Sequence, residues 1–305
     1  MYDIITLGSA NVDIFVKTKI KPEINKHIDH YDIAYHLGDK LLVDDLHITT
    51  GGGGTNTAVA FSRLGLKTGY IGVIGNDVNG SLILNELKKE KVTFLGKVKE
   101  GNTGLSVILP GSYDRTILAY KGVNNNLSIK DIRLDRIKSK WLYVSSMIGQ
   151  SLETAESIIY IAKKNKTKIA INLSMYIATK GLEKLSTLLN SADIIILNKE
   201  EAQALTKEKD IDKILNKIYE HTYGKVIITS GSGNIITSDS LRVFTKHITP
   251  INPIDKTGAG DAFASGFVYS MIKGKSIQEA MDNGHKEALS VMAHIGAKNN
   301  LLKKL

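Results

Sequence analysis

Apolar residues recur along this chain in two rhythms, and their succession predicts the architecture. Residues 3–8 form a short apolar run closing on Gly8-Ser9, as a buried strand does. Residues 11–16 alternate polar and apolar, the pattern of a half-exposed strand. From 17 to 45 no period holds, three His and many charges intervene, and the segment reads as an excursion from the core. Residues 55–64 are helical: Ala58, Val59, Phe61 and Leu64 share a stripe, and Gly65 stops it. A strand at 70–74 and a helix at 78–89 follow. Alternating segments at 103–109 and 115–120, joined through Pro110-Gly111-Ser112, predict a hairpin.

Beyond the hairpin the order becomes regular. Strands are predicted at 141–144, 168–173, 193–197 and 226–229, with helices at 152–164 and 211–219. Two short strands, 234–237 and 241–244, precede closing helices at 260–272 and 277–294. Continuous β-branched strands separated by helices indicate a parallel sheet covered on both faces. No repeat or linker divides the chain, so a single domain over 1–305 is expected.

Composition narrows the function classes. A chain of 305 residues with 42% hydrophobic and 23% charged residues can bury a large core. With no Cys there is no thiolate site and no disulfide, and the opening residues lack the order of a signal peptide. A cytoplasmic protein with no membrane partner is the expectation. The net charge of +9 reads as a lysine-rich surface, because aromatics are only 6% and never alternate with basic runs. Nucleic acid is therefore not expected as the ligand, although a basic field draws anionic substrates. The eight His form no i, i+4 pair beside a carboxylate, which argues against zinc. Gly274-Lys275-Ser276 follows a helix and lacks the first glycine of a Walker loop.

Candidate chemistry clusters at strand ends, where open parallel sheets bind their ligands. Asn11 and Asp13 follow the first strand, Asn172 ends another, Asn198 follows a third, and Thr229-Ser230-Gly231 a fourth. The most informative stretch is Asp255-Lys256-Thr257-Gly258-Ala259-Gly260-Asp261-Ala262-Phe263. Its small residues form a tight turn into a helix, whose free N–H groups at Gly258, Ala259 and Gly260 suit an anion. Asp261 adds a proton acceptor beside that pocket, a combination fit for phosphoryl transfer to a hydroxyl. Gly51-Gly52-Gly53-Gly54-Thr55-Asn56 lets backbone approach a ligand ahead of a helix, or is merely a flexible loop. Asn198-Lys199-Glu200-Glu201 is a good helix start, and its oxygens also suit water-mediated Mg²⁺.

Taken together, these residues resemble the ribokinase-like (PfkB) family of carbohydrate and nucleoside kinases over nearly the whole chain. The likeness runs through Gly8-Ser9-Ala10-Asn11-Val12-Asp13, then 51–65, 72–77, 198–201, 255–266 and 288–297. It implies a three-layer α/β/α fold with a mainly parallel central sheet and a small β lid from about 13–50 and 103–120. By the same resemblance Asp261 is the general base, and Gly258, Ala259 and Gly260 form the anion hole. Asn11, Asp13, Gly52, Gly53, Asn56, Thr103 and Asn172 would hold the substrate. Asn198, Thr229, Gly231 and Asn283 would hold the nucleotide, and Asn198 and Glu201 would organise Mg²⁺. Asp255 and Thr257 resemble part of a monovalent-cation loop, which allows K⁺.

The departures bear on the substrate. Where many members carry Asp-Pro-Asn-x-Arg, this chain has Ala170-Ile171-Asn172-Leu173-Ser174. The missing Arg argues against an acidic sugar, and Asn172-Leu173-Ser174 is closer to adenosine kinases. The expectation is an ATP- and Mg²⁺-dependent kinase of a primary hydroxyl on a ribose- or fructose-like sugar. A nucleoside kinase is the alternative, and a non-catalytic sugar or nucleotide sensor a third reading, against which the retained Asp261 stands. A homodimer through the strand edges of the lid is also expected.

Overall fold

The computed structural model describes residues 1–18, 23–27, 31–111, 115–231 and 233–305, so Ser112 of the expected hairpin turn lies outside the described residues. The chain begins with β1 (Tyr2–Leu7), β2 (Asn11–Thr18), β3 (Glu23–Lys26), β4 (Tyr31–Ala34) and β5 (Val43–Gly51), then α1 (Gly53–Arg63). Next come β6 (Thr68–Ile71), β7 (Val73–Gly75), α2 (Val78–Lys89), β8 (Thr93–Phe94), β9 (Lys97–Lys99), β10 (Gly104–Pro110) and β11 (Arg115–Tyr120). A βα alternation follows: β12 (Ser139–Val144), α3 (Gln150–Lys164), β13 (Lys168–Asn172), α4 (Met175–Ala178), α5 (Leu182–Ser191), β14 (Ile194–Asn198), α6 (Lys199–Thr206), α7 (Ile211–Tyr219) and β15 (Lys225–Thr229). The hairpin of β16 (Ile235–Ser238) and β17 (Val243–Lys246) precedes α8 (Ala259–Ile272) and α9 (Ile277–Met292).

Nine of the described strands form one sheet in the order β17-β16-β15-β14-β13-β12-β1-β6-β8. It is parallel from β15 to β8, and only β16 and β17 run antiparallel. Because successive side chains point to opposite faces, each strand feeds two cores. Ile5, Leu7, Ile195 and Leu197 pack with α3, α5, α6 and α7 on one face. Ile4, Ile194, Ile196 and Ile227 pack with α1, α8 and α9 on the other. Each such buried side chain contributes roughly 1.5–3 kcal/mol, so the strands are apolar throughout rather than alternating. The expected three-layer α/β/α architecture is observed.

Two expectations need correction. The strand read at 70–74 is two strands: β6 joins the large sheet and β7 leaves it to pair with β9. The break falls at Gly72, where a Cβ would meet the Gly8 carbonyl oxygen at 2.6 Å. The excursion after β2 holds a β3–β4 hairpin and β5, which the charged sequence concealed.

A second sheet, in the order β11-β10-β2-β5, leaves the carboxyl end of β1 through Gly8–Ala10. β2 runs parallel to β10, and the outer pairs are antiparallel. Its register gives two unlike faces. Val12, Ile14 and Val16 share one with Leu105, Val107, Ile48, Leu46, Leu118 and Tyr120, whereas Asn11, Asp13, Ser106 and Thr49 share the other. The polar face carries Asn11 and Asp13, two of the residues that the resemblance assigned to substrate.

Candidate active site

The carboxyl ends of the parallel strands converge on a cleft of about 280 Å³. Ser9 follows β1, Ser145 and Ser146 follow β12, and Asn172 and Ser174 close β13. Glu201 of α6 and Asp261 of α8 complete the strand-end rim, while Gly53 of α1 and Asn124 enter from the second sheet's side. Ser145 is placed by its own N–H, which donates to the Leu7 carbonyl at 2.8 Å and extends the β1–β12 pairing.

The glycine turn before α8 is dictated by packing as well as by chemistry. Gly258 is the N-cap with φ of 78°, and a Cβ there would lie 2.4 Å from the Ala297 Cβ. Gly260 faces open space, since a Cβ at that position would meet nothing within 4 Å. The Ala259 N–H donates to the Lys256 carbonyl at 3.2 Å. Among the described residues the N–H groups of Gly258 and Gly260 have no such partner, so they are the donors left for an anion.

Asp261, in the first turn of α8, accepts a hydrogen bond from the Asn56 amide at 2.8 Å. Burial raises its pKa above the ordinary aspartate value; the Asn56 hydrogen bond opposes this, the Asp13 charge adds to it, and the Lys298 charge opposes it. The amide oxygen of Asn56 is buried without a partner among the described residues, an acceptor awaiting a donor. Asp13 is only 5% exposed, and burial lifts its pKa against a hydrogen bond from Ser106 and the Lys298 charge.

Lys298 is the residue that the sequence reading overlooked. Its ammonium, 4% exposed, donates to the Thr50 hydroxyl at 2.9 Å and to Glu86 at 2.5 Å. It thereby ties β5 to α2 beneath Asp13, and burial holds its own pKa below the ordinary lysine value.

The four glycines are not a flexible loop. Gly51 ends β5 against the Asp13 carboxylate, and Gly52, with φ of 96°, lies where a Cβ would strike the Ser9 carbonyl oxygen at 2.6 Å. A Cβ on Gly54 would meet the Gly8 carbonyl carbon at 2.7 Å. Close approach of α1 to the end of β1 demands these residues.

Other predicted residues are placed differently. Asn11 reaches the cleft wall indirectly, its amide oxygen accepting from Asn124 at 2.8 Å. Thr103 is 1% exposed, and its hydroxyl donates to Asp77 at 2.6 Å while accepting from the Gly75 N–H at 3.0 Å. That hydroxyl supports the Asp77 N-cap of α2 and does not line the cleft. Thr229 pairs in register with Asn198, and Gly231 turns just beyond with φ of 49°. Asn283 stands on α9, its amide donating to the Ser270 hydroxyl at 2.9 Å. Thr229, Gly231 and Asn283 lie outside the lining of the Asp261 cleft.

Asn198 and Glu201 form a reciprocal capping box, each side chain accepting from the other's N–H at 2.8 Å. Burial, assisted by the charges of Glu200 and Asp261, pushes the Glu201 carboxyl up to about 7. A carboxylate crowded in this way and facing the cleft fits a hydrated Mg²⁺. No group of three or more His, Cys, Asp or Glu that could hold a metal directly occurs among the described residues. The Asp255 loop fits a K⁺ less well. One carboxylate oxygen accepts from the Thr257 N–H at 2.9 Å and its hydroxyl at 2.7 Å, and the other from the Gly296 N–H at 2.9 Å. Neither oxygen is orphaned.

Known proteins share the family and the fold of this chain. The profile described as pfkB family carbohydrate kinase matches residues 23–304. A ribokinase of Haemophilus influenzae is 30% identical over 97% of this chain and 94% of its own length. A 5-dehydro-2-deoxygluconokinase of Geobacillus thermodenitrificans is 28% identical over 80% of this chain and 78% of its own. In fold, an adenosine kinase from Sinorhizobium meliloti superposes with a TM-score of 0.82 at 22% identity, covering 98% of this chain and 97% of that one.

Proposed function

Because the chain belongs to the pfkB family of carbohydrate kinases and is therefore a sugar phosphotransferase, we propose that it transfers the γ-phosphoryl group of ATP to a primary hydroxyl of a ribose- or fructose-like sugar. The observation that carries this reading is Asp261 held by Asn56 one turn into α8, beside the free N–H groups of Gly258 and Gly260. Asp261 takes the proton of the attacking hydroxyl, and its raised pKa brings it closer to the pH at which a base works best. Gly258 and Gly260 donate to the oxygens of the group in flight, where charge accumulates. Asn11, Asp13, Gly52, Gly53, Asn56 and Asn172 orient the sugar, Asn56 through its unpartnered amide oxygen. Mg²⁺, organised through water by Asn198 and Glu201, would neutralise phosphate charge. Thr229, Gly231 and Asn283 belong to the nucleotide side, and no step is routed through K⁺.

The second sheet acts as the lid, its polar face turned to the sugar. Its opposite face leaves Leu46 52%, Ile48 55%, Leu118 56% and Tyr120 53% exposed, which supports a homodimer through the lid. ATP as co-substrate suits a cytoplasmic place of work.

The test is steady-state kinetics with ATP against free sugars and nucleosides, with Asp261→Asn as the control. Asn keeps the shape and the acceptor for Asn56 but cannot take a proton. A loss in kcat of about 10²–10⁴-fold is expected. Undiminished turnover by the variant would sink the mechanism, and higher kcat/KM for nucleosides would move the substrate to that class.

A further inference from the structure

The cleft lining contains one cation, Lys121, and among the described residues it has no ion-pair partner. Lys121 follows β11 and opens the tight turn at Gly122–Asn125, so it enters the cleft from the lid side. It is half-buried, and its ammonium sits 5.2 Å from the centre of the Tyr176 ring. Lys99, Lys217, Lys246 and Lys298 each have a carboxylate within 2.5–2.7 Å, whereas Lys121 has no ion pair among the described residues. Burial lowers its pKa below the ordinary lysine value.

An ammonium drawn out of water without an anion is costly, and one aromatic face replaces only part of its hydration. The same lining includes the neutral polar side chains of Asn125, Ser146 and Ser174, the last two hydroxyls hydrogen-bonded to each other. ATP's phosphates have their own donors at Gly258 and Gly260, beside Asp261. We infer that Lys121 receives an anionic substituent, a carboxylate or a phosphate, carried by the sugar whose hydroxyl faces Asp261. Ser174 stands where the resemblance would place an arginine after β13, and here the cleft's cation comes instead from the residue that follows β11. The inference rests on the sugar-kinase reading and narrows it to acidic sugars.

Matched pairs test it: an aldose against its aldonic acid, and a hexose against its hexose monophosphate, each with ATP and magnesium. The anionic member of at least one pair should show kcat/KM on the order of tenfold to a hundredfold higher, as charge-assisted hydrogen bonds allow. The better anionic member tells carboxylate from phosphate. Lys121→Met should collapse the anionic-to-neutral ratio toward one, and Lys121→Arg should preserve it. Because the ratio is internal, a partly unfolded variant does not mimic this result. Neutral sugars used as well as their acids, or a Met variant that leaves the ratio intact, overturns the inference while the kinase reading stands. No turnover of any sugar overturns both.

Discussion

Lys298 shows how one side chain bears on the acidity of a site it does not line. Its charge opposes the burial that raises both Asp13 and Asp261. Replacing it with Met removes that opposition, so both carboxylates should hold their protons to higher pH. A base must be ionised to act, so the acid limb of kcat/KM should move upward in Lys298→Met. The folding risk is moderate, since Glu86, left without its partner, has a side chain 25% exposed and can reach water. A pH–rate profile checks the shift, and an unmoved limb would mean that Lys298 only braces the fold. The Asp261 turn was legible because its glycines, acid and helix are contiguous. Lys298 was not, because its partners Thr50 and Glu86 lie 248 and 212 residues away. Lys121 was invisible for the same reason, with Tyr176 brought over it only by the fold.

Among elements, α8, which carries Asp261, packs against α9 as well as α1. The helices cross at paired glycines: a Cβ on Gly266 would lie 2.8 Å from the Asn283 carbonyl oxygen, and one on Gly284 2.8 Å from that of Phe263. Both obstacles are backbone, which cannot swing aside. Gly266→Ala should therefore cost about 1–3 kcal/mol by overpacking. Calorimetry should register it as a melting temperature lower by several degrees, and kcat should fall too as the first turn of α8 shifts. Unchanged values would mean that the helices part freely. Buried elements were readable because both faces of β14 and β15 demand apolar residues. β5 was not, because its first six residues are exposed and nothing enforces alternation on Val-Asp-Asp-Leu-His-Ile.

At the scale of the whole molecule, the second sheet presents an apolar face that no other element covers at Leu46, Ile48, Leu118 and Tyr120 among the described residues. Leu46→Glu combined with Leu118→Glu should convert a dimer to a monomer in light scattering at micromolar protein concentration. A wild-type monomer under those conditions would refute the assembly. The large sheet carries a different consequence, one of timing. β1 precedes every other described strand along the chain, yet it lies inside the sheet between β6 and β12. Its β6 edge can close once Ile71 has emerged from the ribosome, but its other edge waits for Ser139 through Val144. Through all of that translation a strand of Ile, Ile and Leu has one bare hydrogen-bonding edge, open to chaperones or to another nascent chain. A strand that borders the candidate site thus keeps one edge unpaired until Val144 is made.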